Sequence, residues 1–400
     1  MDKYVILAQV GEGTFGAVYK ARSKQTGEIV ALKKMYNQND EEGLSYFALQ
    51  EIKYLKQLNG SPNVIHLIDS FIHEGENSTD DRRLNLLDVE GIKKACIVVV
   101  LPYYESDLVG AQTAFTGIRE VKCAMQQILT GISSMHANHV MHRDIKPANM
   151  LMRDGEIAIA DMGMTTSTNT TSPLPHQVVT LWYRPLELLF GANRYGPEVD
   201  VWSCGVLFIE LMSRKCPFPG RTEHHQVELI LELMGQSYID QSEGLNKLSL
   251  YEKYMPKREL PRNSQLKRIF SSWADDALDL LLKMLCPAKQ RWTASQLLDH
   301  PFFTNNPSPC SPKDVPKVPA MHEYEMKQKY HNQGRTTQRR EEMTHAQGPP
   351  NKKQCLPTHA PMPRSQPRSL DKNKLHSGQE GYRHKVPVTG GSRTSEETSN

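Results

Sequence analysis

The stretch from His142 to Gly163 constrains this 400-residue chain more than any other. It reads His142-Arg143-Asp144-Ile145-Lys146-Pro147-Ala148-Asn149, then an apolar hairpin-like segment, then Asp161-Met162-Gly163. Four polar residues stand where chemistry on a phosphate needs them. Asp144 can accept a proton from an attacking hydroxyl, and Lys146 can neutralise charge on a transferred group. Asn149 and Asp161 can hold magnesium (Mg2+), which prefers hard oxygen ligands and keeps some water. The bland alternative is a polar surface loop. It loses ground because further segments with matching chemistry occur in a consistent order along the chain.

The first of these is Gly11-Glu12-Gly13-Thr14-Phe15-Gly16-Ala17-Val18. G-x-G-x-x-G alone is weak, because dinucleotide-binding folds carry it too. Here Val18 extends it, and Ala17 to Arg22 reads as a returning strand that Thr26-Gly27 soon turns. Gly11, Gly13 and Gly16 would let the backbone close over the phosphates of ATP without Cβ clashes. Val30-Ala31-Leu32-Lys33 is an apolar strand ending in a lysine. Glu51 is the carboxylate available to hold Lys33, on a helix from Leu44 to Leu58 carrying Phe47, Leu49, Ile52, Leu55 and Leu58. Further helices are expected over 119–139, from Asp200 to near Met212, over 224–234 and over 275–285. Ala95 to Leu101 reads as a buried strand, and 73–94 as a polar insertion loop.

Charge and cysteine narrow the class. The whole chain is nearly balanced, with 48 Lys and Arg against 45 Asp and Glu. From Thr304 onward, however, 16 basic residues face 9 acidic ones, so the basic charge lies in the tail. That tail is rich in Pro, Gln, Lys, Ser and Thr. Its composition predicts disorder over 304–400, because it offers too little apolar surface to offset ordering entropy. Its charge is dilute, which favours a solvated tail over direct nucleic-acid binding. The 7 cysteines have no paired spacing, which argues for a reducing compartment and against a disulfide or zinc framework. No apolar run approaches membrane-spanning length, and no signal peptide is expected, since foldable sequence starts at once.

Over residues 1 to 303 the chain resembles eukaryotic protein kinases. The catalytic-loop pattern H-R-D-x-x-x-x-N, a variant of D-F-G, the glycine loop and the strand lysine all contribute. More narrowly it resembles the cyclin-dependent kinases, on Thr14-Phe15, on Ser45-Tyr46-Phe47-Ala48-Leu49-Gln50-Glu51 and on Val178-Val179-Thr180-Leu181-Trp182-Tyr183-Arg184. Arg184-Pro185, Gly191 to Pro197 and Pro309 to Lys317 resemble the transcription-elongation members, which include P-TEFb and the plant C-type kinases.

The resemblance implies an α+β, bilobal fold. A β-rich N-lobe would cover 1–101, a hinge 102–106 and a helical C-lobe 107–303. ATP would lie between the lobes, against Gly11, Gly13, Gly16, Val18, Ala31, Lys33, Leu101, Tyr103, Tyr104 and Leu151. Asp144, Lys146, Lys33 and Glu51 would be catalytic, and Asn149 and Asp161 would hold Mg2+. The partners implied are a cyclin on the helix around Ser45 to Glu51 and a protein substrate with Ser/Thr-Pro sites. The repeats of RNA polymerase II lead that substrate class. The implied location is nuclear, with the cytoplasm also open.

Four departures bear on this. Met162 replaces Phe in D-F-G, as in the Mediator-associated members, which keeps that subtype as an alternative. Pro185-Leu186-Glu187 replaces Ala-Pro-Glu, but Glu187 can still pair with Arg291. Pro175 occupies the usual phosphothreonine position. Of the three arginines that would bind that phosphate, Gln50 and Thr166 replace two and only Arg143 remains. The reading is therefore a kinase that does not use this phosphate switch. Phe15 replaces the inhibitory tyrosine of cell-cycle members. A pseudokinase scaffold is the alternative from another class, and the intact set of six catalytic and metal residues argues against it.

Overall fold

The computed structural model describes residues 3–13, 16–35, 46–73 and 96–328. All belong to the first of two compact units, Met1–Glu342; the second, Met343–Asn400, lies outside the described residues. Thr14, Phe15, Ser45 and the insertion from 74 onward also lie outside them.

The N-lobe is an antiparallel sheet of five strands in the order β1 (Tyr4–Gly13), β2 (Gly16–Ser23), β3 (Ile29–Met35), β5 (Cys96–Pro102) and β4 (Asp69–His73). Alternation in β2 and β3 turns Ala17, Tyr19, Ala21, Val30 and Leu32 to one face, where they pack with Val98 and Val100. The other face of β5 presents Ile97, Val99 and Leu101 to the main core. Because β5 is covered on both faces, its sequence is a continuous apolar run rather than an alternating one. Helix α1 (Tyr46–Gln57) buries Ala48, Glu51 and Leu55, with Leu58 just beyond its end. Leu49, read as part of its apolar face, points outward and is 48% exposed. Counted back from Leu58 in steps of three, the expected face drifts about 60° per step, which carries Leu49 off the stripe defined by 48, 51, 55 and 58.

The C-lobe is built on α2 (Ile118–Ala137) and α4 (Glu198–Ser213). The inward stripe of α2 runs through Val121, Met125, Ile128, Ile132 and Met135, the spacing expected of a half-buried helix. Helix α4 is apolar almost all round because neighbours surround it: Gly205 admits Met284 and Leu285 of α9 (Asp275–Leu285), and a Cβ there would stand 2.7 Å from Leu285. Trp202 and Phe208 are fully buried, and truncating Phe208 to Ala would cost about 3–5 kcal/mol. Short strands β6 (Ser106–Asp107), β8 (Met150–Arg153) and β9 (Glu156–Ile159) form a sheet under the cleft, with Asp154-Gly155 turning the β8–β9 hairpin. A second pair joins β7 (Val140–Met141) to β10 (Thr166–Ser167). The rest of the lobe comprises α3 (Leu186–Leu189), α5 (Glu223–Met234), the short helices α6 (Gln236–Gln241), α7 (Tyr251–Tyr254) and α8 (Leu266–Ile269), then α10 (Ala294–Leu298) and α11 (Pro301–Thr304).

One expectation needs correction. Composition assigned everything from Thr304 onward to a disordered tail, yet residues 304–328 are folded along the C-lobe. Cys310 and Val315 are buried, and the Asn305 carbonyl accepts from Lys122 at 2.9 Å. The backbone seats against two glycines. A Cβ on Gly155 would stand 1.8 Å from the Pro312 carbonyl oxygen, and one on Gly110 would stand 1.8 Å from that of Met321. Val315, Val318, Met321 and Tyr324 recur every third residue, a spacing that composition averaged over the whole tail conceals.

Candidate active site

Strands β7 and β8 bracket the loop His142–Asn149. Buried Asp200, in the first turn of α4, holds it from below: its carboxylate accepts from the backbone N–H of His142 at 2.8 Å, that of Arg143 at 2.7 Å and the His136 ring at 2.9 Å. This pins Arg143 at φ 65, a left-handed conformation that a non-glycine residue adopts only when its surroundings enforce it. His142 accepts the Asp144 N–H on Nδ1 at 3.1 Å, so its Nε2 donates to the Ala160 carbonyl at 3.0 Å.

Donors converge on the Asp144 carboxylate. Lys146 and the Asn149 amide reach Oδ2 at 2.7 and 3.0 Å, while the Thr180 hydroxyl and N–H reach Oδ1 at 2.7 and 3.2 Å. With its amide nitrogen committed to Asp144, Asn149 keeps its amide oxygen for a cation. Across the cleft, Lys33 bridges both Glu51 oxygens at 2.8 Å and Asp161 at 2.7 Å. Burial alone would depress the Lys33 ammonium, but Asp161 and Glu51 together hold it well above its usual value. The Lys33 charge in turn holds Asp161 down at about 2. Asp161 is itself left-handed, at φ 68, and the next side chain, Met162, is completely buried. The thioether thus fills the apolar slot behind the Asp-Met-Gly turn.

Between these groups lies a cleft of about 540 Å3. Its walls include Gly11, Gly16, Val18, Ala31, Leu101, Tyr103, Tyr104 and Leu151, together with Lys33, Glu51, Asp144, Lys146, Asn149 and Asp161. Of the residues expected there, Gly13 pairs with Gly16 at the mouth of the hairpin. Gly16 needs its missing side chain, since a Cβ would stand 1.9 Å from the Lys34 carbonyl oxygen. Tyr103 and Tyr104 combine lining and packing. Lys20 lies 4.3 Å over the first ring and Arg153 5.0 Å over the second. Two oxygen side chains, Asn149 and Asp161, face one cleft able to hold a polyphosphate, which suits Mg2+ completed by phosphate and water.

Several site residues escaped sequence reasoning. The folded segment after α11 crosses the cleft mouth. His322 donates to the Tyr104 carbonyl at 3.1 Å, the Glu323 N–H to Asp107 at 2.8 Å, and the Tyr324 hydroxyl to Glu12 at 3.3 Å. The three-residue spacing from Val315 to Tyr324 was the available signal. Tyr195 was missed as well. Its hydroxyl donates to the Pro175 carbonyl at 2.6 Å and accepts from Arg143 at 3.0 Å, and Arg143 also donates to the Met164 carbonyl at 2.7 Å. Beside Thr180, Val179 stands at φ 67 with its carbonyl taken by Arg184, at 3.2 and 3.0 Å. The expected ion pair is present: Arg291 meets Glu187 at 2.8 Å, both buried.

Comparison with known proteins agrees with this geometry. Residues 4–303 match the protein kinase domain family. The chain is 39% identical over 337 residues to Cyclin-dependent kinase C-2 of Arabidopsis thaliana, covering 82% of this chain and 64% of that protein. It is 38% identical over 331 residues to Cyclin-dependent kinase 9-B of Xenopus laevis, covering 79% and 84%. The chain thus spans just under two thirds of the length of the plant relatives. Among solved structures, the CAK complex from Chaetomium thermophilum bound to ATP-gamma-S aligns with a TM-score of 0.67 at 33% identity, over 79% of this chain and 95% of that one. The yeast RNA Pol II CTD kinase CTDK-1 complex aligns at 0.66 and 29%, over 78% and 95%.

Proposed function

The chain belongs to the protein kinase family, in its cyclin-dependent branch, and from that premise we propose that it transfers the γ-phosphate of ATP to Ser or Thr followed by Pro. The observation that carries this reading is the assembled charge set: Lys33 closed on Glu51 and Asp161, and Asp144 gathered by Lys146, Asn149 and Thr180. In the transfer, the substrate hydroxyl oxygen bonds to the γ-phosphorus as the bond to the β,γ-bridging oxygen breaks. Asp144 orients the hydroxyl and takes its proton. Lys146, 2.7 Å from Asp144, neutralises the moving phosphoryl group, and Lys33 fixes the phosphates that stay behind. Mg2+ bound between Asn149 and Asp161 would supply charge neutralisation on the phosphates. The work of the protein is positioning and charge complementarity.

Proline selection follows from Val179. Its carbonyl is bound by Arg184, so a substrate amide N–H after the acceptor residue finds no partner there, at a cost of about 1–3 kcal/mol. Proline has no N–H to leave unsatisfied.

A cyclin is the partner that fits exposed Leu49 on α1, which turns Glu51 of the same helix into the cleft. The likeness to a RNA Pol II CTD kinase supports the polymerase repeats as substrate, and the nucleus is the location proposed to go with that substrate.

The test is transfer of labelled phosphate to a Tyr-Ser-Pro-Thr-Ser-Pro-Ser repeat peptide by the chain purified with its native partners, with Asp144→Asn as control. Transfer abolished in the variant supports the reading. Absence of transfer to this peptide and to a generic Ser-Pro protein, with a cyclin bound, refutes it and favours a scaffold.

A further inference from the structure

Arg184 does not hold the Val179 carbonyl unaided. Its NH1 donates to Glu223 Oε1 at 2.6 Å, while Nε and NH2 take the carbonyl. The guanidinium is a rigid planar fork, so fixing NH1 fixes where the other two donors point. Glu223 opens α5 immediately after Thr222, whose hydroxyl caps the helix by accepting the His225 N–H at 3.1 Å. The second Glu223 oxygen accepts the Tyr254 hydroxyl at 2.8 Å, so the carboxylate cannot swing away. A single chain of contacts therefore runs from Tyr254 on α7 through Glu223 and Arg184 to Val179. Arg184 is buried, and the carboxylate supplies its only ion pair among the described residues. Val179 is β-branched at φ 67, a conformation such a residue holds only under external constraint. If the constraint loosens, the carbonyl is free to turn toward the residue after the acceptor.

We propose that Glu223, locked by Tyr254, is a positioning residue for substrate specificity: it keeps the Val179 carbonyl engaged and so enforces proline after the acceptor. The inference rests on the proline-directed reading above and names the residues that set its stringency. Glu223 touches neither the Asp144 cluster nor the Lys33 cluster, so its effect is on selection.

The experiment compares kcat/KM for matched Ser-Pro and Ser-Ala peptides, with the chain in its native complex, for the wild type, Glu223→Gln, Tyr254→Phe and the conservative Glu223→Asp. The wild type should favour Ser-Pro by roughly tenfold or more. Glu223→Gln should cut that ratio by about fivefold, Tyr254→Phe by about twofold, and Glu223→Asp should restore part of it. The change should fall on the Ser-Ala peptide, whose KM drops as the freed carbonyl accepts its N–H, with kcat and the KM of the Ser-Pro peptide nearly constant. An unchanged ratio in Glu223→Gln, with the wild type selective, overturns this inference alone. A wild type without preference overturns both readings. Should Glu223→Gln not fold, an unchanged ratio in Tyr254→Phe overturns the inference instead.

Discussion

Tyr195 and Arg143 are joined by a 3.0 Å hydrogen bond at the place where a phosphate would otherwise gather the activation segment. The same hydroxyl holds the Pro175 carbonyl, and the Leu174 N–H donates to the Asn193 carbonyl at 2.8 Å. Phosphorylation orders a loop by collecting arginines around a new dianion. Here a neutral phenol and one arginine tie the loop without it. Tyr195→Phe removes both contacts and leaves a partly buried guanidinium short of an acceptor. It should lower kcat/KM for peptide by roughly tenfold, equivalent to about 1.4 kcal/mol. Phosphatase treatment of the wild type should change activity little. Loss of activity on phosphatase treatment, traced by mass spectrometry to a phosphate between 165 and 180, would sink this account.

The segment over the cleft mouth makes a separable prediction. His322, Glu323 and Tyr324 contact the hinge carbonyl, Asp107 and the glycine-loop Glu12. None of these contacts reaches the Asp144 cluster. Gly110→Ala forces the Met321 carbonyl away, since the new Cβ would stand 1.8 Å from its oxygen. Gly110→Ala and His322→Ala should each raise KM for ATP by about threefold to tenfold, the range for one or two lost hydrogen bonds, with peptide KM nearly constant. Steady-state kinetics with each substrate varied in turn decides it. Equal effects on both KM values would mean that the substitutions disturb the lobe rather than the nucleotide.

The residues expected at the site were legible because the proposed chemistry fixes their identity at each position: Lys33, Glu51, Asp144, Asn149 and Asp161 line one cleft. Helices α2, α4 and α9 were legible from their apolar periodicity. What escaped notice depends on contacts between distant segments. Tyr195 is an ordinary surface-loop tyrosine until the fold brings Pro175 beneath it. Cys310, Val315 and Tyr324 are too sparse to register as a core, and they pack only because Gly110 and Gly155 leave room for the backbone. Leu49 failed for the opposite reason, an apolar residue read as core that faces outward.

The buried pair Glu187–Arg291 tests the coupling between the activation segment and the C-lobe. Arg291 also donates to the Glu198 carbonyl at 2.8 Å and the Cys286 carbonyl at 3.2 Å, so it ties α3, α4 and α9 together. Removing one partner strands a buried charge, at a cost of about 3–5 kcal/mol. Glu187→Gln should lower unfolding free energy by about that much in urea titration. The double variant Glu187→Gln with Arg291→Met should recover part of the loss, because no unpaired charge remains. If the single and double variants lose stability equally, the residues act through packing and not as an ion pair.

The pH dependence of nucleotide binding follows from Lys33 and Asp161. Lys33 depresses the Asp161 carboxyl to about 2, below its ordinary 3.8. For a carboxylate lowered on folding, the stabilising contact is complete above the ordinary value and lost only as pH falls through the lowered one. Asp161 therefore stays charged throughout any range in which the chain is active. Affinity for ATP in the presence of Mg2+, measured by calorimetry, should vary by less than about twofold from roughly pH 6 to 8 on account of this group. Lys33→Met removes the principal cause of the depression and leaves His142 and Lys146 to hold the carboxyl down against desolvation. The Asp161 carboxyl should then titrate higher than in the wild type, and the acid limb of binding should move up in pH with it. Parallel pH profiles in the two proteins would show that Lys33 does not control the charge on Asp161.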